Sequence, residues 1–212
     1  MRYKLIIFDL DGTLVDAYKA VSASLNFALN KAGLPPLSDE TIKRSVGWGD
    51  RNLLSRFVSA DKVDAIFKIY RHHHKRALKT GTKFLPYARQ ILLSLKKKEI
   101  KLAVASNRPT VYTRIILKHL KVISLFDCIL CADKVRLGKP APDILKRILK
   151  KLNVAAHEAL YAGDMTIDVE AGRRARVRTV AVLTGSCKRA EISPLCPYKI
   201  IKNLKWLIPI VG

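Results

Sequence analysis

A chain of 212 residues with an apolar fraction of 49% can bury a sizeable core and falls in the ordinary range for a globular protein, as one domain with an insertion or as two small ones. Its 40 Lys and Arg against 17 Asp and Glu give a formal net charge of +23, but the basic residues are scattered from Lys19 to Lys205, which excludes a basic tail or a recognisable nucleic-acid motif. No apolar run is long enough to span a bilayer and no signal-type segment precedes the first strand pattern, so the expectation is a soluble, cytoplasmic protein whose positive field draws anionic substrates and holds nucleic acid only nonspecifically.

The first apolar run, Leu5-Ile6-Ile7-Phe8, ends on Asp9 and Asp11 with Gly12 and Thr13 directly after. That is a strand delivering two carboxylates into a turn, where both can reach one mouth and meet a metal or a phosphate. A calcium loop of the EF-hand kind does not fit, because Leu14 stands where it needs Gly and Ala20 where it needs a bidentate Glu. The next stretch, about seventy residues from Asp16 to Phe84, reads as helices throughout, at 18–32, 38–46, 50–57 and 61–78. Gly33-Leu34-Pro35-Pro36 punctuates the first pair, and Ser38 with Thr41 offers capping chemistry. An all-helical insertion after the first strand sits beside that strand's C-terminal end, where ligands bind in open α/β sheets. Within it, His72-His73-His74 fan around a helix axis, which is poor spacing for one metal and reads as a solvated, partly stacked histidine face.

Beyond Phe84 apolar runs at 102–105, 129–132, 159–162 and 179–183 alternate with helical patterns at 87–98, 109–120, 141–152 and 166–175, which implies a doubly wound parallel sheet. The second strand runs into Ser106-Asn107-Arg108-Pro109, a hydroxyl and a helix N-terminus able to cradle phosphate, although Ser and Asn are also ordinary helix caps. Cys128 and Cys131 fall in an apparent strand, whose odd spacing points them to opposite faces and makes them reduced structural thiols, not zinc ligands. Gly138-Lys139-Pro140-Ala141-Pro142-Asp143 fixes a lysine at the next polar junction. After Leu160-Tyr161-Ala162 come Gly163, Asp164 and Asp168, two acids on one face of a helix's first turn in a chain poor in acids.

In order and character these segments resemble the four motifs of the haloacid dehalogenase superfamily: Asp9 to Asp16, Ser106, Lys139, and Gly163-Asp164 with Asp168. The resemblance spans the chain and, through 138–143 and the overall length, is similar to the phosphoglycolate phosphatase branch of the helical-cap subclass. It implies a doubly wound, Rossmann-like parallel-sheet core, residues 1–15 and 85–212, with an inserted all-helical cap, residues 16–84. It further implies a magnesium-dependent phosphatase in which Asp9 is the nucleophile that becomes an aspartyl-phosphate and Asp11 is the general acid and base. Ser106 and Lys139 would hold the phosphoryl oxygens, and Mg2+ would be bound by Asp9, the Asp11 backbone carbonyl and Asp164, with Asp168 supporting the site through water. Gly12 and Asn107 are expected at the substrate, and the cap loop Gly47-Trp48-Gly49-Asp50-Arg51 is expected to select it, with Arg51 meeting an anionic group and Trp48 closing over it.

Within that resemblance, the acid at Asp11 implies phosphate-ester chemistry and not that of the superfamily's dehalogenases and phosphonatases. Phosphoglycolate is the first substrate expected and a nucleoside monophosphate or pyrophosphate the second. A phosphomutase of the β-phosphoglucomutase type and a basic polyanion-binding protein on the same scaffold are the alternatives, in a monomer or homodimer. Arg108 departs from the lysine common in that branch, keeping the charge and altering its geometry. The segment 185–197 is also divergent.

Overall fold

In the computed structural model, which describes residues 3–212, the chain opens with β1 (Leu5–Phe8) and a two-residue strand β2 (Val15–Asp16). Four helices follow: α1 (Tyr18–Lys31), α2 (Asp39–Ser45), α3 (Asp50–Leu54) and α4 (Ala60–Thr80). The chain returns through β3 (Lys83–Phe84) and α5 (Ala88–Lys97) to a regular alternation of β4 (Lys101–Ser106), α6 (Thr110–His119), β5 (Cys128–Cys131), α7 (Asp143–Leu152), β6 (Ala159–Gly163), α8 (Thr166–Ala175) and β7 (Arg178–Val182). A short helix α9 (Arg189–Ile192), β8 (Lys199–Ile201) and α10 (Ile208–Val211) end it.

Six strands form one parallel sheet in the order β5-β4-β1-β6-β7-β8. From β1 the chain builds outward to β4 and β5, then returns to place β6, β7 and β8 on the other side. The carboxyl ends of β4, β1 and β6 therefore stand side by side where the strand order reverses, the position at which such sheets open a crevice for ligands. Phe8 pairs with Val104 on one side and Ala162 on the other, so the residues that follow each strand emerge at one level.

The strands read as unbroken apolar runs because both faces are covered. Ile6 and Phe8 pack with Leu92 of α5, Ile116 of α6 and the C-terminal Leu204 and Leu207, while Leu5 and Ile7 pack with Ile144 and Ile148 of α7 and Ala171 of α8. Cys128 and Cys131 point to opposite faces as expected: Cys128 joins the α7 side and Cys131 donates to Thr113 Oγ1 of α6 at 3.4 Å. Both are free, and burial pushes both thiols up, away from the reactive thiolate form.

The helical cap has its own core. α1 and α4 lie along each other around Leu25, Leu29, Ile42, Leu54, Ile66 and Tyr70. α4 buries Val63, Ile66, Tyr70, His74, Ala77 and Leu78, the three- and four-residue spacing of one helix face. Where the chain leaves the sheet layer and where it returns, β2 and β3 pair antiparallel, Val15 opposite Phe84 and Asp16 opposite Lys83. Among the described residues no helix is long and apolar enough to cross a membrane.

Three features depart from the sequence pattern. α3 stops at Leu54 instead of continuing to Phe57, because the Ser55 hydroxyl donates to the Arg51 carbonyl and Arg56 and Phe57 continue as tight turns onto Leu53 and Leu54. β8 extends the sheet, with Tyr198 N–H donating to the Thr179 carbonyl at 2.9 Å just before it. The β2–β3 pair is only two residues long on each side.

Candidate active site

Asp9 follows β1 and is fixed by its own N–H, which donates to the Ala162 carbonyl at 2.8 Å. The loop between β5 and α7 carries Lys139 beneath it. Lys139 Nζ donates to Asp9 Oδ1 at 2.5 Å and to Asp168 Oδ1 at 2.8 Å, and also lies 3.1 Å from the Ala105 carbonyl and 3.0 Å from the Tyr161 hydroxyl. Asp168 stands in the first turn of α8, where its Oδ2 accepts the N–H groups of Asp164 and Met165 at 3.1 and 2.9 Å, the usual use of a carboxylate at a helix N-terminus. Its Oδ1 also accepts the Tyr161 hydroxyl at 2.6 Å.

Asp164, at the end of β6, accepts Thr13 Oγ1 at 3.2 Å and Ser186 N–H at 3.0 Å. Two glycines admit it. Gly12 has φ +81°, and a Cβ there would come within 2.5 Å of Asp164 Oδ2; at Gly185 the same oxygen would be 1.6 Å away. Thr184 Oγ1 donates to the Gly12 carbonyl at 2.7 Å, so the loop after β7 is tied to the turn after β1.

Negative charge is in excess here. Burial pushes the Asp9 carboxyl up to about 7, with Lys139 opposing and Asp168 and Asp11 adding to the rise. Burial, then Asp9 and Asp168, hold Asp164 well above the ordinary carboxylate range. Lys139 is raised although burial opposes its charge, because Asp168 and Asp9 outweigh that cost. Asp9, Asp164 and Asp168, all buried, offer oxygens within 4.8 Å of one another. An all-oxygen, under-neutralised cluster, with glycines in place of side chains around Asp164, fits a small hard divalent cation such as magnesium. Each Asp168 oxygen already accepts two hydrogen bonds, whereas each Asp164 oxygen accepts one and Asp9 accepts Lys139 through Oδ1, so Asp9 and Asp164 are the members with oxygen lone pairs free for a metal.

A second buried cluster joins the core to the cap. Arg108 grips Asp11 with two parallel bonds, Nε to Oδ2 at 2.7 Å and Nη2 to Oδ1 at 2.9 Å, and its Nη1 lies 2.8 Å from Nε2 of His74. The Ser24 hydroxyl donates to the Ala20 carbonyl at 2.7 Å, so it accepts from His74 Nδ1 at 3.0 Å. His74 is therefore neutral with its proton on Nδ1, and Nε2 accepts from Arg108. Burial, then Arg108, bring the imidazole down to about 2. Arg108 is raised despite burial, through Asp11 and Asp50.

The histidine run thus differs from a solvated face. His72 is exposed and His73 stacks on Phe27 with ring centroids 4.4 Å apart, but His74 is fully buried, stacked on Tyr70 at 4.7 Å. The reason is helix phase: His74 lies one turn from Tyr70 and Leu78 on the inward side of α4.

A cavity of about 40 Å³ lies between cap and core, lined by Asp9, Asp11, Ser106, Asn107, Arg108 and Lys139 from below and by Tyr18, Gly47, Gly49 and Asp50 from above. Ser106 is buried, and its Oγ accepts the Arg108 N–H at 3.1 Å. Asn107 is a brace: Nδ2 donates to the carbonyls of Gly47 in the cap and Lys139 in the core, at 3.0 and 2.9 Å, while Oδ1 accepts the Lys139 N–H at 2.8 Å. Arg51 and Trp48 do not line this cavity. The Arg51 side chain is 57% exposed and pairs with Asp64, and Trp48 is 39% exposed. α3 turns Asp50, Leu53 and Leu54 inward, which puts Arg51 on the outer side.

Asp50, His74 and the grip of Arg108 on Asp11 were not expected. A signal existed for two of them: Asp50 shares an i+3, i+4 face with Leu53 and Leu54, and His74 shares one with Ala77 and Leu78.

The model of the family described as haloacid dehalogenase-like hydrolase matches residues 6–182. A phosphoglycolate phosphatase of Aquifex aeolicus is 32% identical over 185 residues, 87% of each chain. One of Pseudomonas fluorescens is 31% identical over 219 residues, covering 97% of this chain and 79% of that one. The crystal structure of a predicted phosphoglycolate phosphatase from Haemophilus somnus 129PT superposes with a TM-score of 0.95 at 25% identity, covering 100% of this chain and 99% of its own.

Proposed function

The chain belongs to the haloacid dehalogenase-like hydrolase family, and from that premise we propose that it is a magnesium-dependent phosphatase that hydrolyses a small phosphate monoester through an aspartyl-phosphate on Asp9. The observation that carries this reading is the placement of Asp9, beside Lys139 and within reach of Asp164, at the mouth where β4, β1 and β6 end. Phosphoglycolate, the ester named for the relatives, is one such small monoester. The proposed division is a core of residues 1–15 and 85–212 and a cap of 16–84, supported by the β2–β3 pair at the two crossings. We place the enzyme in the cytoplasm, where the free thiols of Cys128 and Cys131 stay reduced.

Asp9 attacks phosphorus, the bond from phosphorus to the leaving oxygen breaks, and Asp11 supplies the proton that this oxygen takes up. Water then attacks the phosphoryl group on Asp9, with Asp11 taking its proton and Asp9 leaving as carboxylate. A carboxylate approaching a phosphate dianion is repelled by about 1 kcal/mol per charge pair at 4 Å in water and by about 4 kcal/mol near a protein surface. Lys139 lowers that barrier from beneath Asp9, and Ser106 supplies a hydroxyl to a phosphoryl oxygen. Held by Asp9, Asp164 and the Asp11 carbonyl, with Asp168 behind, magnesium would add positive charge where the transition state spreads negative charge. Arg108 holds Asp11 at the cavity wall.

The test is phosphate release from a panel of small phosphate esters, with and without magnesium, for the wild type and Asp9→Asn. Magnesium-dependent turnover that disappears in the variant supports the reading. A panel that stays inert, or a variant equal to wild type, removes it.

A further inference from the structure

Asp50 opens α3 in the cap, is 8% exposed, and lines the same cavity as Asp9 and Ser106, yet its Oδ2 has no hydrogen-bond partner. Buried polar atoms are paired with few exceptions, so an orphan oxygen on the wall of a substrate cavity marks a place where the ligand supplies the partner. The neighbouring Tyr70 hydroxyl, also without a partner in hydrogen-bond geometry, lies near enough to favour the Asp50 carboxylate.

The surrounding charges say which partner fits. Two cations line the cavity among the described residues: Lys139 is taken up by Asp9 and Asp168, and the Nε–Nη2 edge with which Arg108 could meet a carboxylate is already filled by Asp11, while its Nη1 is engaged by His74. A substrate carboxylate placed here would face Asp50 and Asp11 with that edge closed. Burial pushes the Asp50 carboxyl up, with Arg108 first and then the Tyr70 hydroxyl and Arg71 opposing. A hydroxyl suits both protonation states, since it donates to the carboxylate and accepts from the acid.

We propose that Asp50 is a specificity-determining residue that binds a substrate hydroxyl, so that the preferred esters carry a free hydroxyl close to the phosphorylated carbon, as polyol and sugar phosphates do, and not a carboxylate. The proposal rests on the phosphatase reading and narrows its substrate. It assigns to the cap loop a hydrogen-bond acceptor where the exposed Arg51 offers nothing to the cavity.

A matched pair of esters tests it: 2-hydroxyethyl phosphate and phosphoglycolate share a skeleton and differ in a hydroxyl against a carboxylate. With magnesium saturating, kcat/KM for the pair is measured in the wild type, Asp50→Ala and Asp50→Asn, with thermal melts of all three. A hydrogen bond to a charged group sets the scale, so the wild type favours the hydroxyl ester by about ten-fold or more. Asp50→Ala loses that preference without a lower Tm, since it removes an unpaired buried acid, and Asp50→Asn, which keeps an acceptor oxygen, retains part of it. A wild type that favours phosphoglycolate overturns the assignment and leaves the phosphatase reading intact. So does a preference unchanged in Asp50→Ala, which would mean that Tyr70 satisfies the carboxylate from within the cap. If neither of the pair turns over while other esters do, the assignment also fails; if no ester does, the phosphatase reading falls with it.

Discussion

One residue, His74, should work against the fold as pH falls. Its Nδ1–H donates to Ser24 and its Nε2 accepts from Arg108, so a second ring proton would point one N–H at another beside a guanidinium. Burial first and Arg108 second bring the folded-state value from 6.5 to about 2. Because that value lies below the unfolded one, the unfolded chain binds the extra proton between them, and stability present above pH 6.5 is lost as pH falls toward the folded value. Each pH unit in that window is worth about 1.4 kcal/mol, so the step from pH 7 to pH 5 removes about 2 kcal/mol, a figure that depends only on the unfolded value as long as the folded one stays well below 5. The assay is urea unfolding at both pH values for the wild type and His74→Gln, whose amide oxygen can replace the acceptor but does not titrate. The wild type should lose about 2 kcal/mol more than the variant between the two pH values. Equal losses, or a larger loss in the variant, would show that His74 is not held neutral by Arg108.

Three further outcomes follow from the same geometry. Lys139→Met leaves Asp9 and Asp168 buried without their cation, and in the absence of metal it should cost about 3–5 kcal/mol in urea unfolding, with phosphate release collapsing as well. Magnesium at about a hundred times its Kd should stabilise the wild type by about 2.7 kcal/mol, read as a rise in Tm, and Asp164→Asn should abolish most of that rise. Arg51→Ala should leave kcat/KM within about two-fold of wild type, because its charge is paired in solvent with Asp64 and faces away from the cavity; a large rise in KM would return Arg51 to the substrate.

The sheet and its acids are legible in the sequence because they are local. Strands buried on both faces are runs without charge, so 5–8 coincides with β1, and 166–175, with Asp168 in its first turn, coincides with α8. Asp9, Asp164 and Lys139 meet because each follows a strand or its loop at one end of a parallel sheet, which the alternation of strand and helix already implies. β8 escapes notice because Lys199-Ile200-Ile201 is three residues long and closes a divergent stretch. The cap is harder for a different reason. A five-residue helix such as α3 is set by tertiary contact more than by its own period, and one position of phase decides whether Asp50 or Arg51 enters the cavity. The bonds from Arg108 to Asp11 and His74 span 97 and 34 residues, and no local pattern encodes such a meeting.

The most direct measurement of the central claim is acid quenching of the enzyme during turnover with magnesium and a substrate ester, followed by peptide mass analysis. The account predicts one added phosphoryl group on the peptide that contains Asp9, sensitive to hydroxylamine as an acyl phosphate is, and absent from Asp9→Asn. Turnover with no phosphorylated peptide, or a phosphoryl group carried on any residue other than Asp9, would contradict it.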